Sequence, residues 1–216
     1  MSELRALIFD FDGVILESAD IKTQAFRDIF AQYPTYLPEI LRYHLDNEGE
    51  SRYIKFRHIY HSILGKDLDE RELMVLGNRF SEVVGRHISQ CLFVKGARRV
   101  LEDYQHKYLF FIASGMPQEE LGSILESKGI SRYFKGTFGY PPRKKNICES
   151  IMRRWGLSPE EIVFIGDSLT DYKEAVAAGI CFIGRTRSVD PFSGLDIIKI
   201  KDLDDLPWAL SCCHIQ

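Results

Sequence analysis

Residues 4–9 end in a near-continuous apolar run, Leu-Arg-Ala-Leu-Ile-Phe. An apolar run without polar alternation is the pattern of a strand covered on both faces. Similar runs recur at residues 108–113, 162–165 and 181–183, with a weaker one at 197–200. Between them the spacing predicts helices over residues 97–107, 118–128, 145–155 and 171–178. The last three of these stop at Gly129, Gly156 and Gly179, where a glycine can take the left-handed conformation that closes a helix. Strand alternating with helix predicts an α/β protein with a doubly wound, Rossmann-like parallel sheet.

The stretch from residue 17 to 87 has a different rhythm. It holds no strand-like run, and its apolar residues fall at helical spacing. One set is Ile21, Ala25, Ile29 and Phe30; a second is Tyr53, Phe56, Ile59, Tyr60 and Ile63; a third is Leu73, Leu76, Phe80 and Val84. Turn signals separate them at Tyr33-Pro34, residues 47–49 and residues 65–67. The expected organisation is an α/β core of residues 1–16 and 88–216, with residues 17–87 inserted as an all-helical cap. Hinges are expected near residues 16–18 and 88–91, letting the cap close over the core and exclude water.

Bulk properties narrow the partners. The chain has 216 residues, 45% of them hydrophobic, enough to bury a core. A formal net charge of −3 gives no reason to expect nucleic acid or an anionic membrane, so an anionic substrate must be drawn by local charge. The five cysteines are odd in number and lack any CxxC spacing, which reads as reduced thiols. Glu3, Arg5, Asp10 and Asp12 interrupt the stretch a signal peptide would need. No apolar run approaches the ~18 residues of a membrane span. A cytoplasmic protein is expected.

Four short stretches, each after an apolar run, carry chemistry. In open α/β sheets ligands bind beyond the carboxyl ends of the strands. Asp10 and Asp12, in Asp10-Phe11-Asp12-Gly13, sit where the first strand ends, two residues apart and so on one face of an extended backbone. Gly166-Asp167 follows another strand, and Asp171 opens the next helix, where it could equally serve as a cap. Three carboxylates converging on one sheet edge suit a hard, oxygen-seeking ion, with Mg²⁺ the expected choice. Ser114-Gly115 precedes a helix, which suits either an anion site or a capping serine. Among Arg143, Lys144 and Lys145, one lysine turned inward would neutralise a phosphate, and Lys144 is preferred to Lys145.

In order and spacing these stretches resemble the four motifs of the haloacid dehalogenase superfamily. The nearest branch is that of phosphoglycolate phosphatase and β-phosphoglucomutase. Residues 9–14, Phe-Asp-Phe-Asp-Gly-Val, match its first motif, and the helical insert is similar to its cap. The resemblance implies a hydrolase that cleaves phosphoric monoesters of small metabolites, a sugar phosphate or a phospho-acid. Asp10 would be the nucleophile and form an aspartyl-phosphate; Asp12 would be the general acid and base. It further implies Mg²⁺ held by Asp10, the Asp12 carbonyl and Asp167, with Asp171 near the ion or orienting Lys144. Ser114, Gly115 and Lys144 would bind phosphoryl oxygens. The family's dehalogenases lack an aspartate at the position of Asp12, so its presence favours phosphate chemistry.

Selectivity is expected in the cap. Gly49-Glu50-Ser51-Arg52 resembles the specificity loop of the mutase-like branch, which makes Arg52 the first cap candidate and Lys55, one helical turn on, the second. Lys22 stands where the mutases usually carry a histidine, which favours hydrolysis. Tyr43, His44 and His58 could line the cleft but are expected mainly to pack helices. The alternatives are a phosphosugar mutase and a catalytically silent binding protein on the same fold.

Overall fold

The computed structural model describes residues 3–88 and 90–213. Six strands form one sheet, in the order β3-β2-β1-β4-β5-β6 with every pairing parallel. They are β1 (Ala6–Phe9), β2 (Leu109–Pro117), β3 (Phe134–Tyr140), β4 (Ile162–Gly166), β5 (Cys181–Arg185) and β6 (Ile198–Ile200). The chain runs outward from β1 to β2 and β3, then returns to β4 on the other side of β1. That reversal opens a crevice at the carboxyl ends of β1 and β4, where the carboxylates lie.

The apolar runs are buried because helices cover both faces. Leu7 and Phe9 of β1 join one core with α5 (Ala97–Tyr104), α6 (Gln118–Ser127) and α9 (Leu206–Cys212). Ala6 and Ile8 join a second core with α7 (Lys144–Trp155) and α8 (Leu169–Ala177). All four β1 residues are fully covered, as alternation in a sandwiched strand demands.

The expected strands are present, and one more was not expected. Phe134–Tyr140 reads Phe-Lys-Gly-Thr-Phe-Gly-Tyr and has no apolar run, because β3 is an edge strand and most of it is only half-buried. β2 extends past Ala113 through Pro117 with irregular pairing to β3, so Ser114 and Gly115 leave the sheet as bent strand rather than as a turn.

Between β1 and β2 lie four helices ahead of α5: α1 (Ala19–Ile29), α2 (Leu37–Asp46), α3 (Arg52–His58) and α4 (Glu70–Ile88). Residues Ile59–Ile63 continue α3 as one π-helical turn. The unexpected one is α2, whose buried face amounts to Ile40 and His44. Phe26, Phe30, Phe56 and Phe80 interlock among these helices, each at most 2% exposed, with Phe26 centred 5.3 Å from Phe80 and 5.5 Å from Phe56. Burying each such ring contributes about 1.5–3 kcal/mol. The hinge expected near residues 88–91 includes Ser89, which lies outside the described residues.

Candidate active site

Asp10 is the first residue after β1, and its N–H still donates to the Ile165 carbonyl of β4 at 2.9 Å. The carboxylate therefore emerges on backbone held by sheet pairing. Gly13 turns the chain with φ of 75°, and a Cβ there would stand 1.9 Å from Asp167 Oδ2. Only glycine allows the β1 loop to pass this close to the β4 carboxylate.

Lys144 is the inward lysine. It is 4% exposed, lies 2.9 Å from Asp10 Oδ1 and also bonds Asp171 Oδ1. Lys145 turns outward to Glu149, and Arg143 to Glu174. Burial opposes the Lys144 charge, but Asp10 and Asp171 outweigh it and hold the ammonium above its usual range. Asp171 is not the cap of α8. Ser168 is, and Asp171 answers it from the third position, accepting from Ser168 N–H at 3.2 Å and from its hydroxyl at 2.7 Å. One carboxylate oxygen thus fixes the helix start and the other fixes Lys144.

Asp10, Asp167 and Asp171 are buried, and each offers an oxygen within 4.8 Å of the other two. Burial, with Asp171 and Asp12 adding to it, pushes Asp10 up to about 7 against the pull of Lys144. Burial and the neighbouring Asp10 and Asp171 likewise raise Asp167 well above the carboxylate range, partly offset by Arg187. This all-oxygen, mutually repelling donor set fits a hard divalent cation.

Asp12 is held apart from that cluster. Ser18 Oγ donates to its Oδ1 at 2.7 Å, and Lys22 Nζ bonds the other oxygen. Asp12 is thus a carboxylate with its own donors, beside but not within the triad. Asp10, Asp12, Asp167, Lys22, Lys55, His44, Glu48, Glu50 and Gly115 line one cleft between helices and sheet. Ser114 and Lys144 line an adjoining cleft that shares Gly49, Glu50 and Gly115. Ser114 is fully buried, and its hydroxyl accepts from Met116 N–H at 3.1 Å rather than capping α6. Gly115 is pressed by the loop between α2 and α3: a Cβ on it would stand 2.7 Å from the Gly49 carbonyl oxygen.

The cap residues divide. Lys55 lines the cleft, with Nζ 3.1 Å from His44 Nδ1. Arg52 does not line it. Its guanidinium bonds Glu120 of α6 and Ser81 of α4, lies 3.3 Å from the Gly77 carbonyl, and sits over the Phe80 ring. Arg52 ties α3 to α4 and α6 and stands outside the group that the fold brings together. His44 both packs on Phe26 and faces the cleft, whereas Tyr43 and His58 stack on each other. Sequence reasoning missed Arg187, whose Nε is 3.2 Å from Asp167 Oδ2 and whose Nη2 is 2.6 Å from Glu48. Its signal was position, two residues beyond the carboxyl end of β5.

The family model for haloacid dehalogenase-like hydrolases matches residues 7–185, a span that takes in Asp10, Asp12, Ser114, Lys144, Asp167 and Asp171 and stops short of Arg187. The chain belongs to the haloacid dehalogenase-like hydrolase family. Among curated members it is similar to the phosphoglycolate phosphatase of Pasteurella multocida, 22% identical over 86% of this chain and 87% of that one. It is 24% identical to that of Vibrio parahaemolyticus, over 85% and 84%. A solved hydrolase from Pseudomonas syringae shares the fold with a TM-score of 0.79, covering 96% of this chain and 98% of that one at 16% identity. In this haloacid dehalogenase-like hydrolase Asp10, Asp12 and Asp167 line one cleft, Lys144 lines the adjoining one, and Lys144 and Asp171 join the first through Asp10. Among the described residues no helix is long and apolar enough to cross a membrane.

Proposed function

We propose that this hydrolase is a Mg²⁺-dependent phosphomonoesterase acting on a small phosphorylated metabolite through an aspartyl-phosphate on Asp10. The observation that carries the reading is the separation of duties at the β1 end. Asp10 lies with Lys144, Asp167 and Asp171, while Asp12 has its own two donors, Ser18 and Lys22. The names of the relatives, phosphoglycolate phosphatases, support the same class of substrate.

In the first half-reaction an Asp10 oxygen attacks phosphorus and the bond to the ester oxygen breaks. Asp12 gives that oxygen a proton, so an alcohol leaves. In the second, Asp12 takes a proton from water, the hydroxide attacks phosphorus, and the bond to Asp10 breaks, releasing phosphate. Lys144 neutralises Asp10 and an incoming phosphoryl oxygen, with Ser114 and the Gly115 N–H as further donors. Asp10, Asp167 and Asp171, with the Asp12 carbonyl, would hold Mg²⁺. That ion supplies charge neutralisation between the Asp10 carboxylate and a dianionic phosphate. Cap helices over the cleft limit water to the molecule that Asp12 activates.

The test is acid-quenched trapping during turnover of an aryl phosphate with ³²P label. Label on a peptide containing Asp10, labile to hydroxylamine, is the expected result; label elsewhere or none overturns the nucleophile assignment.

A further inference from the structure

Cys181 and Cys213 lie 32 positions apart in the chain, and the fold sets their sulfurs 3.3 Å from each other. Cys181 is the first residue of β5, and Cys213 is the residue that ends α9. The Cys213 N–H still donates to the Ala209 carbonyl at 3.3 Å, so the helix itself fixes where that residue stands. α9 is anchored in turn by Leu206, Ala209 and Leu210, all buried in the core that covers Leu7.

The remaining cysteines are placed differently. Cys148 is buried, and burial pushes its thiol up to about 12. Cys91 is half-buried with its sulfur on the Leu92 carbonyl at 3.7 Å, and burial raises its thiol as well. Cys212 adjoins Cys213, but successive residues of a helix point about 100° apart, so the two do not face Cys181 together.

The two sulfurs are in contact and not bonded. A disulfide needs about 2.05 Å between them, so they must close by roughly 1.3 Å, within reach of side-chain rotation where both residues stand at element ends. The pair is also unequal. Cys181 is exposed, and the hydrogen it shares with Cys213 holds its thiol down, to about 7, against desolvation. The same bond, followed by burial, holds the Cys213 thiol up. An accessible, more acidic thiol beside a less acidic one is the arrangement of a nucleophile and its resolving partner.

We infer that Cys181 and Cys213 are an oxidation site, at which a peroxide joins β5 to α9 through a disulfide. In the first step the Cys181 thiolate attacks one oxygen of hydrogen peroxide and the O–O bond breaks. The departing hydroxide takes the proton that the Cys181 thiol gave up and leaves as water, so Cys181 becomes a sulfenic acid. In the second the Cys213 sulfur attacks the Cys181 sulfur, the S–O bond breaks, and the hydroxyl leaves as water with the Cys213 proton. Two thiols lose two electrons, and one peroxide is reduced to two waters. Cys181 stands at the amino end of β5 in an all-parallel sheet, whereas Asp10 and Asp167 follow the carboxyl ends of β1 and β4. The link therefore forms away from the cleft, and it acts by restricting the unfolded chain and holding α9 to the sheet.

The experiment adds a small excess of hydrogen peroxide to the reduced protein, blocks the remaining thiols with iodoacetamide and maps the peptides by mass without reduction. The expected product is the Cys181 peptide joined to the Cys213 peptide, two hydrogens lighter than their sum and separated again by dithiothreitol. Cys181→Ser and Cys213→Ser are each expected to lose the link, and Cys212→Ser to keep it. The linked protein is expected to melt about 5–10 °C above the reduced one, with no such rise in Cys213→Ser. No link under peroxide, a link from Cys181 to Cys212 instead, or a link that leaves Tm unchanged overturns the inference. Should Cys213→Ser not fold, the wild-type peptide map and the melts of its reduced and linked forms decide.

Discussion

Lys144 Nζ lies 2.9 Å from Asp10 Oδ1, with both side chains buried, and the same ammonium bonds Asp171. One cation from α7 thus joins the carboxylate at the end of β1 to the carboxylate that fixes the start of α8. Removing it strands two carboxylates away from water. Lys144→Met is expected to destabilise the protein by about 3–5 kcal/mol, the scale of a broken buried pair. Lys145→Met, which removes only the exposed pair with Glu149, is expected to cost under about 1 kcal/mol. Urea unfolding of the two variants checks the contrast, and equal losses would contradict the assignment of Lys144.

Cation binding should register in stability as well as in rate. On the proposed function Mg²⁺ would bind only where Asp10, Asp167 and Asp171 are held together, so it is expected to raise Tm. Above its Kd the gain should grow by about 1.4 kcal/mol per tenfold in concentration. Asp167→Asn removes one of the buried, mutually repelling carboxylates. It is expected to raise Tm without Mg²⁺ by relieving repulsion and to abolish the Mg²⁺-dependent gain. Thermal melts across a Mg²⁺ series test both signs.

His44 predicts an acid sensitivity. Its ordinary value is 6.5 and burial with nearby cations pushes it down to about 2, so the folded state holds it neutral. The stability this contributes is complete above pH 6.5 and is lost as pH falls from 6.5 towards 2, by up to ~1.4 kcal/mol per unit. Urea unfolding between about pH 7.5 and 5.5 should show wild type losing more per unit than His44→Gln. Parallel slopes would contradict a neutral, buried His44.

Arg52 sits between Phe80, Ser81 and Glu120, which makes it a tie from α3 to α4 and α6. Arg52→Ala is expected to cost about 1–3 kcal/mol of stability. Because Arg52 does not line the cleft, KM for an aryl phosphate in Arg52→Ala should follow wild type. A KM raised about tenfold or more in a folded Arg52→Ala would return Arg52 to the substrate site.

The two classes of feature differ in how they are written in the chain. β1, β2, β4 and β5 were legible because a strand covered on both faces must be continuously apolar, and Asp10, Ser114 and Asp167 were legible because they end those runs. β3 was not, since an edge strand of Phe, Lys, Gly, Thr and Tyr has little to distinguish it from a loop. The direction of a side chain is a still weaker signal. Arg52 and Lys55 share one short helix, yet tertiary partners that no local pattern encodes turn one to Glu120 and the other to His44. Arg187 carries no motif and acquires its place only when the sheet sets β5 beside β4.

The central claim is that Asp10 attacks phosphorus in a Mg²⁺-dependent monoester hydrolysis. Its most direct test is phosphate release from an aryl phosphate, with and without Mg²⁺, by wild type and Asp10→Asn. The substitution keeps the shape of the side chain and removes its charge. The account predicts release that requires Mg²⁺ and falls by at least about 10³-fold in the variant, as expected when a covalent nucleophile is lost. Release by Asp10→Asn at the wild-type rate would contradict it.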